Sequence, residues 1–280
     1  MTDSPAENPG EVAAHPIRFV ISDVDGTLLD GEKKLTARAK AAVRALRAAG
    51  IGFTFISARP PKAMQPLAAE LELDQPFASF NGAMVCSPNL EVLSQKLMTR
   101  RSSTHASQLI VDHGLDLWAF VGTDWYATEV KGPHTPHHTE MLGPPKQMNY
   151  SLEVCAAAAK IVGVSDDRAK IAACEAAMLS DPTMSLSVSR SAEYYLDVTD
   201  KDANKGLAVD MLSKLRNIPA AQIATLGDMP TDVLMFAKSG FSVAMGQSDD
   251  KVKQAAKVVT AANTDEGFAM AIEKYVLGKT

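Results

Sequence analysis

The sequence is poor in cysteine. Its three cysteines, Cys86, Cys155 and Cys174, are odd in number and lie in apolar or alanine-rich surroundings. This usage argues against a disulfide framework and is typical of free thiols in a reducing compartment. We therefore interpret the three cysteines as buried packing residues.

Long apolar runs and an excess of basic residues are also missing. No stretch reaches the ~18 apolar residues that a membrane-spanning helix requires, and the acidic N-terminal segment does not match a secretory signal. The 28 Lys and Arg are outnumbered by 33 Asp and Glu, so no overall positive field attracts nucleic acid or an anionic membrane. We expect a cytoplasmic protein that binds neither, with residues 1–16 as a disordered tail.

An alternation of strands and helices occupies both ends of the chain. Residues 17–22 and 51–56 are short, apolar and β-branched, and a helical pattern that Thr36 can cap lies between them. The alternation stops near residue 83 and resumes near residue 199, whereas the stretch between combines short strand-like pieces with Pro-rich loops. The pattern predicts an α/β fold: a doubly wound, Rossmann-like parallel-sheet core (residues 17–83 and 199–280) with an inserted α+β cap (residues 84–198).

Polar side chains follow several of the predicted core strands. Because ligands bind at the carboxyl ends of parallel strands, we expect these side chains to meet at one edge of the sheet. Asp-Gly turns and ordinary helix capping are the alternative interpretations of the acidic residues. Carboxylates with no His or Cys nearby suit Mg²⁺ better than zinc. The residues concerned are Asp23, Asp25, Ser57, Asn81, Asp228 and Asp232.

Lys205 and Ser57 are candidate residues for binding an anion at the same edge of the sheet. Lys205 precedes Gly206 at a predicted helix start and is either an ordinary surface lysine or the cation that compensates the carboxylates. Ser57 offers a hydroxyl, and the N–H groups around it can hold an anion, unless the segment is a plain turn at a strand end.

These segments, taken in order, resemble the motifs of the haloacid dehalogenase superfamily of phosphohydrolases, in its Cof-type branch. The resemblance extends from about residue 17 to residue 276. The first segment is highly specific for this superfamily, whereas the Lys-Gly pair alone is not. The segments are Asp23-Val24-Asp25-Gly26-Thr27-Leu28-Leu29, Ser57-Ala58-Arg59, Asn81-Gly82-Ala83, Lys205-Gly206 and Gly227-Asp228 with Asp232.

The resemblance implies a role for each of these residues. Asp23 is the nucleophile that forms an aspartyl-phosphate, and Asp25 is the acid that protonates the leaving oxygen and later activates water. Mg²⁺ is held by Asp23, the backbone carbonyl of Asp25, Asp228 and, in support, Asp232. The phosphate-binding set is Ser57, Ala58, Arg59, Asn81, Gly82 and Lys205.

The resemblance also implies a substrate class, and we add an expectation for the oligomeric state. We expect a small phosphorylated metabolite, in the first place a sugar phosphate, and a monomer or homodimer. The alternatives are a sugar phosphomutase of the same superfamily and a catalytically silent ligand-binding protein. Two positions that usually carry Asn are Met229 and Thr231 here, and Ala58 replaces the usual glycine.

The predicted cap contains further polar and aromatic candidates. His134, His137 and His138 lie in a Pro-rich stretch, residues 132–143, that we predict to be a loop. They are either a transition-metal site or, as we favour, residues that are solvated or that contact the substrate as the cap closes. Aromatic residues in the cap either pack or face a sugar ring, and several arginines are candidate contacts for a second anionic group. These are Trp118, Trp125 and Tyr126, and Arg59, Arg100, Arg101 and Arg190.

Overall fold

The structure is a computed structural model that describes residues 15–132, 134–148 and 153–279. The predicted tail, residues 1–16, lies outside this part of the chain except for its last two residues. The strands are β1 (Phe19–Asp23), β2 (Gly52–Ile56), β3 (Phe77–Ser79), β4 (Met84–Cys86), β5 (Val92–Gln95), β6 (Asp116–Val121), β7 (Asp124–Ala127), β8 (Lys146–Gln147), β9 (Lys160–Val164), β10 (Leu186–Ala192), β11 (Tyr195–Asp200), β12 (Ile223–Gly227), β13 (Phe241–Ala244) and β14 (Val258–Val259). The α-helices are α1 (Ala37–Ala48), α2 (Pro61–Glu70), α3 (Arg100–Asp112), α4 (Thr135–Leu142), α5 (Arg168–Ser180), α6 (Lys205–Arg216), α7 (Val233–Phe236), α8 (Asp250–Ala255) and α9 (Gly267–Ala271).

The chain forms two compact units, Met1–Phe55 with Leu212–Thr280, and Ile56–Met211. The cap at residues 84–198 stays a prediction. None of the helices in the described ranges is long and apolar enough to cross a membrane.

The first unit is built on strands in the order β14-β13-β12-β1-β2, of which all but β14 are largely buried. Each of the pairs β1 with β12, β12 with β13 and β13 with β14 is parallel. All residues of β1 and β12 are buried, as expected of apolar strands covered on both faces. Helix α1 begins as predicted, since the Thr36 hydroxyl accepts from the N–H of Ala39 at 3.1 Å. The predicted α/β fold class is confirmed.

The second unit contains two groups of strands. Strand β3 pairs in parallel with the last residue of β2, and β3, β4 and β5 then form an antiparallel meander that the sequence did not indicate. The remaining strands form a mixed sheet in the order β10-β11-β9-β6-β7-β8. Helices α3 and α5 pack on one face of this sheet. Their shared core includes Ala106, Ile110, Leu117, Ala119, Ile161, Ile171, Cys174, Leu196 and Val198.

One helix differs from the prediction, and other helical segments are short or divided. The stretch predicted as a loop contains α4, because Pro136 lies in the first helical turn, where no backbone N–H is needed. Helix α2 contains Pro66 and ends at Glu70. A 3₁₀ turn precedes α7, and the C-terminal helical segment divides into a 3₁₀ turn, α9 and a π turn.

The cysteines are buried and free, as predicted. Burial raises the pKa of the Cys86 thiol to about 12 and that of Cys174 to about 11. Because the thiolate is the reactive form, these thiols are inert near neutral pH.

Candidate active site

Three aspartates meet at the carboxyl ends of neighbouring strands in the first unit. Asp23 ends β1, and Asp228 and Asp232 follow β12, the parallel neighbour of β1. One carboxylate oxygen from each of the three lies within 4.8 Å of the others. Asp23 and Asp232 are buried, and Asp228 is half-buried. The structure thus brings together acids that are more than 200 residues apart in sequence.

The donor set of this trio fits a hard divalent cation. All three donors are carboxylate oxygens, the ligands that Mg²⁺ prefers, and no His or Cys belongs to the group. Carboxylates held this close repel one another unless a cation or a proton compensates them. Within the described residues, His134, His137 and His138 do not form such a group.

The turn after β1 packs directly on Asp228. Gly26 has φ of +90°, and a Cβ at this position would lie 2.4 Å from Oδ2 of Asp228. The Thr27 hydroxyl donates to Oδ1 of Asp228 at 2.9 Å. Gly26 is therefore needed both for its backbone conformation and for the space that it leaves to the carboxylate. Asp25, in this turn, is half-buried.

Asp232 organises the backbone beside the trio. Its Oδ2 accepts from the N–H groups of Asp228 and Met229, both at 2.8 Å. The Met229 side chain is 54% exposed, and Thr231 is also exposed. Met229 thus contacts Asp232 through its backbone N–H, while its side chain is exposed.

Two residues that sequence reasoning missed support the same turn. Gln247 donates from Nε2 to the carbonyl of Gly26 at 2.6 Å and accepts from the N–H of Asn263 at 3.0 Å. Asn263 donates from Nδ2 to the carbonyl of Leu29 at 3.0 Å. Their position after β13 and β14 is the only signal in the sequence, because amide side chains that bind backbone groups have no characteristic spacing.

The second unit carries the predicted phosphate-binding residues on two adjacent turns. Ser57 is buried after β2, and its hydroxyl accepts from the N–H of Arg59 at 3.1 Å. The N–H of Asn81 donates to the carbonyl of Ser57 at 2.9 Å, and that of Phe80 to the carbonyl of Arg59 at 3.3 Å. Asn81 has φ of 54°, and its Oδ1 is buried with no hydrogen-bond partner among the described residues. Ala58 is exposed.

Lys205 begins α6 as predicted and is buried. Asn204 caps this helix, since its Oδ1 accepts from the N–H of Leu207 at 3.0 Å. Gly82 has φ of +105°, and a Cβ there would lie 2.3 Å from the carbonyl oxygen of Asn204. The absent side chain of Gly82 therefore lets the loop before Lys205 approach the turn that contains Asn81.

Lys96 holds the start of the same loop. Its ammonium lies 3.5 Å from Oδ1 of Asp200 and 3.4 Å from Oδ2 of Asp202. These carboxylates, Asp200 first, raise the pKa of Lys96. Asp200 also accepts from the N–H of Asp202 at 3.0 Å. The lysine thus joins the chain after β5 to the chain after β11.

Two histidines of the predicted cap, His134 and His138, have specific partners. Nε2 of His134 lies 2.8 Å from Oδ1 of Asp166, and its ring stacks on Tyr194 with centroids 4.3 Å apart. Nε2 of His138 lies 2.9 Å from the hydroxyl of Tyr195, and burial lowers the pKa of His138 to about 4. The expectation that the three histidines are solvated loop residues is therefore wrong for His138.

The remaining cap candidates divide between packing and surface positions. Trp118 and Trp125 are buried and meet edge to face with centroids 5.2 Å apart, as packing residues do. Arg190 is paired with Glu175. Arg100 and Arg101 are exposed in the first turn of α3.

Comparison with known proteins identifies the family of this chain. A protein of Haemophilus influenzae that is provisionally named a phosphatase is 28% identical over 92% of this chain and 97% of its own. A 5-amino-6-(5-phospho-D-ribitylamino)uracil phosphatase of Bacillus subtilis is 23% identical over 93% of this chain and 96% of its own.

The solved structure of a haloacid dehalogenase-like hydrolase from Bacteroides thetaiotaomicron matches with a TM-score of 0.81 at 22% identity, over 92% of this chain and 99% of its own. The sequence model of the haloacid dehalogenase-like hydrolases matches residues 20–272. The predicted resemblance is confirmed, and the chain belongs to the haloacid dehalogenase-like hydrolase family.

Proposed function

We propose that this protein is a Mg²⁺-dependent phosphomonoester hydrolase that acts on a small phosphorylated metabolite, in the first place a sugar phosphate, through an aspartyl-phosphate. The gathering of Asp23, Asp228 and Asp232 at the ends of two neighbouring strands carries this proposal. A carboxylate nucleophile needs neighbours that keep it ionised and in place, and a carboxylate trio around a divalent cation meets that need.

Asp23 acts as the nucleophile in this scheme. One of its carboxylate oxygens attacks the phosphorus atom, and the bond from phosphorus to the leaving oxygen breaks. Water then attacks the aspartyl-phosphate, which releases inorganic phosphate and restores the Asp23 carboxylate. The buried position of Asp23 at the end of a rigid strand supports this role, because a fixed nucleophile costs less entropy to align.

Asp25 moves the proton in both steps. In its protonated form it donates to the leaving oxygen, and in its ionised form it accepts a proton from the attacking water. Its half-buried position in the turn after β1, two residues beyond Asp23, supports this exchange.

The phosphoryl oxygens require positive charge and N–H donors. When bound, Mg²⁺ neutralises charge on the transferring group. We assign Ser57, the turn residues Ala58 and Arg59, and Lys205 to binding the phosphoryl oxygens. The position of Lys205 at the start of α6, directly after the residue whose backbone approaches Gly82, supports this assignment, since its ammonium is a cation that attracts phosphate. Asn81 and Gly82 complete the proposed set as the turn beside Ser57.

The substrate class is supported by the named relatives. The Bacillus subtilis relative is named for a substrate whose phosphate sits on a ribityl chain. A small polyhydroxylated phosphate ester is therefore the first class to test. We further propose that the protein works in the cytoplasm as a monomer or homodimer and binds neither nucleic acid nor membrane.

The experiment is phosphate release from sugar phosphates, nucleotides and p-nitrophenyl phosphate, with Mg²⁺ or with EDTA. Asp23→Asn keeps the shape of the side chain but removes the nucleophilic charge, and Asp112→Asn is the matched control on the exposed surface of α3. We expect Mg²⁺-dependent release that Asp23→Asn abolishes and Asp112→Asn leaves unchanged. An isomerised sugar phosphate without free phosphate would instead establish a mutase, and tight binding without turnover would establish a silent binding protein.

A further inference from the structure

The sheet formed by β6, β9 and β11 has two faces of different character. Side chains that pair across antiparallel strands share a face, and alternate residues along one strand change face. Leu117, Ile161 and Leu196 therefore point toward the core that contains α3 and α5. Phe120 pairs with Lys160, and Val162 pairs with Asp197, on the opposite face.

That opposite face carries an ion pair that is largely removed from solvent. Nζ of Lys160 lies 2.7 Å from Oδ2 of Asp197, and the two side chains are only 12% and 13% exposed. An ion pair in such a place pays a large desolvation cost, and apolar residues of similar size often give equal or greater stability. Folding alone therefore does not account well for a charged pair on this face.

The pair keeps unused hydrogen-bonding capacity. An ammonium has three N–H donors, and among the described residues Lys160 hydrogen-bonds only to Asp197. Within the same part of the chain, no residue donates to Oδ1 of Asp197. The pair thus offers N–H donors of the Lys160 ammonium next to an acceptor, Oδ1 of Asp197.

Aromatic residues connect the pair to the proposed phosphate-binding turn. The ammonium of Lys160 lies 5.9 Å from the centroid of the Phe80 ring, and Phe80 meets Phe120 with centroids 5.2 Å apart. Phe80 immediately precedes Asn81, whose Oδ1 is buried without a partner in the described ranges. Lys160 and its partner Asp197 are therefore connected through the Phe80 ring to the turn that we assign to phosphate binding.

We infer that Lys160 and Asp197 are specificity-determining residues that bind two neighbouring hydroxyl groups of the substrate's leaving group. One hydroxyl accepts from the ammonium while the other donates to the carboxylate, and the aromatic rings contact the carbon skeleton. This inference rests on the proposed function and narrows its substrate class to phosphate esters of vicinal diols.

The test compares substrates that differ by one hydroxyl. The probes are ribose 5-phosphate, 2-deoxyribose 5-phosphate and p-nitrophenyl phosphate, which has no hydroxyl groups. The variants are Asp197→Asn, Lys160→Gln and the double variant Lys160→Met with Asp197→Leu, which removes both charges together. Glu175→Gln, which breaks the ion pair with Arg190 elsewhere in the same sheet region, is the matched control.

We expect each Lys160 or Asp197 variant to lower kcat/KM for ribose 5-phosphate about 10- to 100-fold, mainly through KM. For p-nitrophenyl phosphate we expect changes of less than about threefold, since neither hydrogen bond is made there. 2-Deoxyribose 5-phosphate keeps one of the two neighbouring hydroxyls, so only the variant of the residue that binds this hydroxyl should lower its kcat/KM, and the variant of the other residue should change it less than about threefold. Equal losses on all three substrates, or no loss on ribose 5-phosphate, would overturn the inference. A wild type that hydrolyses p-nitrophenyl phosphate but prefers the deoxy sugar would overturn it and leave the hydrolase proposal intact.

Binding separates the two proposals. In the Asp23→Asn background, we measure the affinity for ribose 5-phosphate by calorimetry with and without Asp197→Asn. If the wild type shows no turnover but this affinity falls about tenfold or more with Asp197→Asn, the hydrolase proposal fails, and only the binding of a sugar hydroxyl by Asp197 is upheld. An affinity that does not depend on Asp197 overturns the inference whatever the turnover.

Discussion

Oδ2 of Asp232 accepts a hydrogen bond from the backbone N–H of Asp228 at 2.8 Å, so one acid of the trio fixes the chain that carries another. We expect Asp232→Ala to raise the Mg²⁺ concentration needed for half-maximal phosphate release about 10- to 100-fold, as losses of supporting contacts around metal ligands do. Asp232→Asn keeps an acceptor oxygen, so its effect should be several-fold smaller. The measurement is a Mg²⁺ titration of phosphate release by the wild type, Asp232→Ala and Asp232→Asn. Equal effects of the two substitutions would instead point to the charge of Asp232.

Gly26 leaves no room for a side chain beside Asp228. Gly26→Ala places a Cβ 2.4 Å from Oδ2 of Asp228 at φ of +90°, so the carboxylate or the turn must move. We expect phosphate release to fall by more than about 100-fold, because small misplacements in an active site have effects of this size.

Gly122→Ala is the matched control for Gly26→Ala. Gly122 also has positive φ, +56°, but beyond its two chain neighbours no atom of the described residues lies within 4 Å of a Cβ built there. This variant should lose about 1–2 kcal/mol of stability through backbone strain alone and keep its activity. Comparable activity losses in both variants would contradict the role that we give to the space at Gly26.

Gly82 leaves space of a similar kind before Lys205. A Cβ at Gly82 would lie 2.3 Å from the carbonyl oxygen of Asn204, so Gly82→Ala must displace the residue that caps α6. We expect a higher KM for any phosphate ester, including p-nitrophenyl phosphate, because the lysine that we assign to the phosphoryl group shifts. Gly114→Ala, with positive φ and its nearest neighbour at 3.5 Å, is the control. An unchanged KM in Gly82→Ala would show that the lysine does not depend on this approach.

His138 makes stability depend on pH. Burial lowers the pKa of folded His138 from 6.5 to about 4, so the unfolded chain takes up a proton at a pH where the folded chain does not. The stabilisation is therefore complete above pH 6.5 and is lost as pH falls from there toward about 4.

Denaturant unfolding at about pH 7.5 and about pH 5 measures this effect. Between these values we expect the wild type to lose about 1 to 2 kcal/mol more than His138→Gln, which keeps a hydrogen-bonding side chain but does not titrate. An equal loss in both proteins would assign the pH dependence to other groups.

The sequence predicted the α/β fold because local patterns encode it. The strands β1 and β2 are mostly apolar and almost entirely buried, and Thr36 caps α1 where the pattern places it. The acids that come together were also predictable, since each follows a strand of a parallel sheet and such strands end at the same edge.

Other features depend on partners that the sequence does not display. Strands β4 and β5 are only three and four residues long, which is too short for a clear alternation of apolar residues. The prolines around α4 suggested a loop, but a proline in the first turn is compatible with a helix. The contact between Gln247 and Gly26 spans more than 200 residues and leaves no local pattern.

The contacts of Lys96 and Gly82 bring together the two ends of a long excursion of the chain. Lys96 reaches Asp200 across 3.5 Å, and the backbone of Asn204 touches the position of Gly82. A segment whose ends meet can be exchanged for another without stretching the flanking chain. Recombination can therefore exchange residues 97–199 while the chain that carries Asp23, Asp228 and Asp232 keeps its sequence.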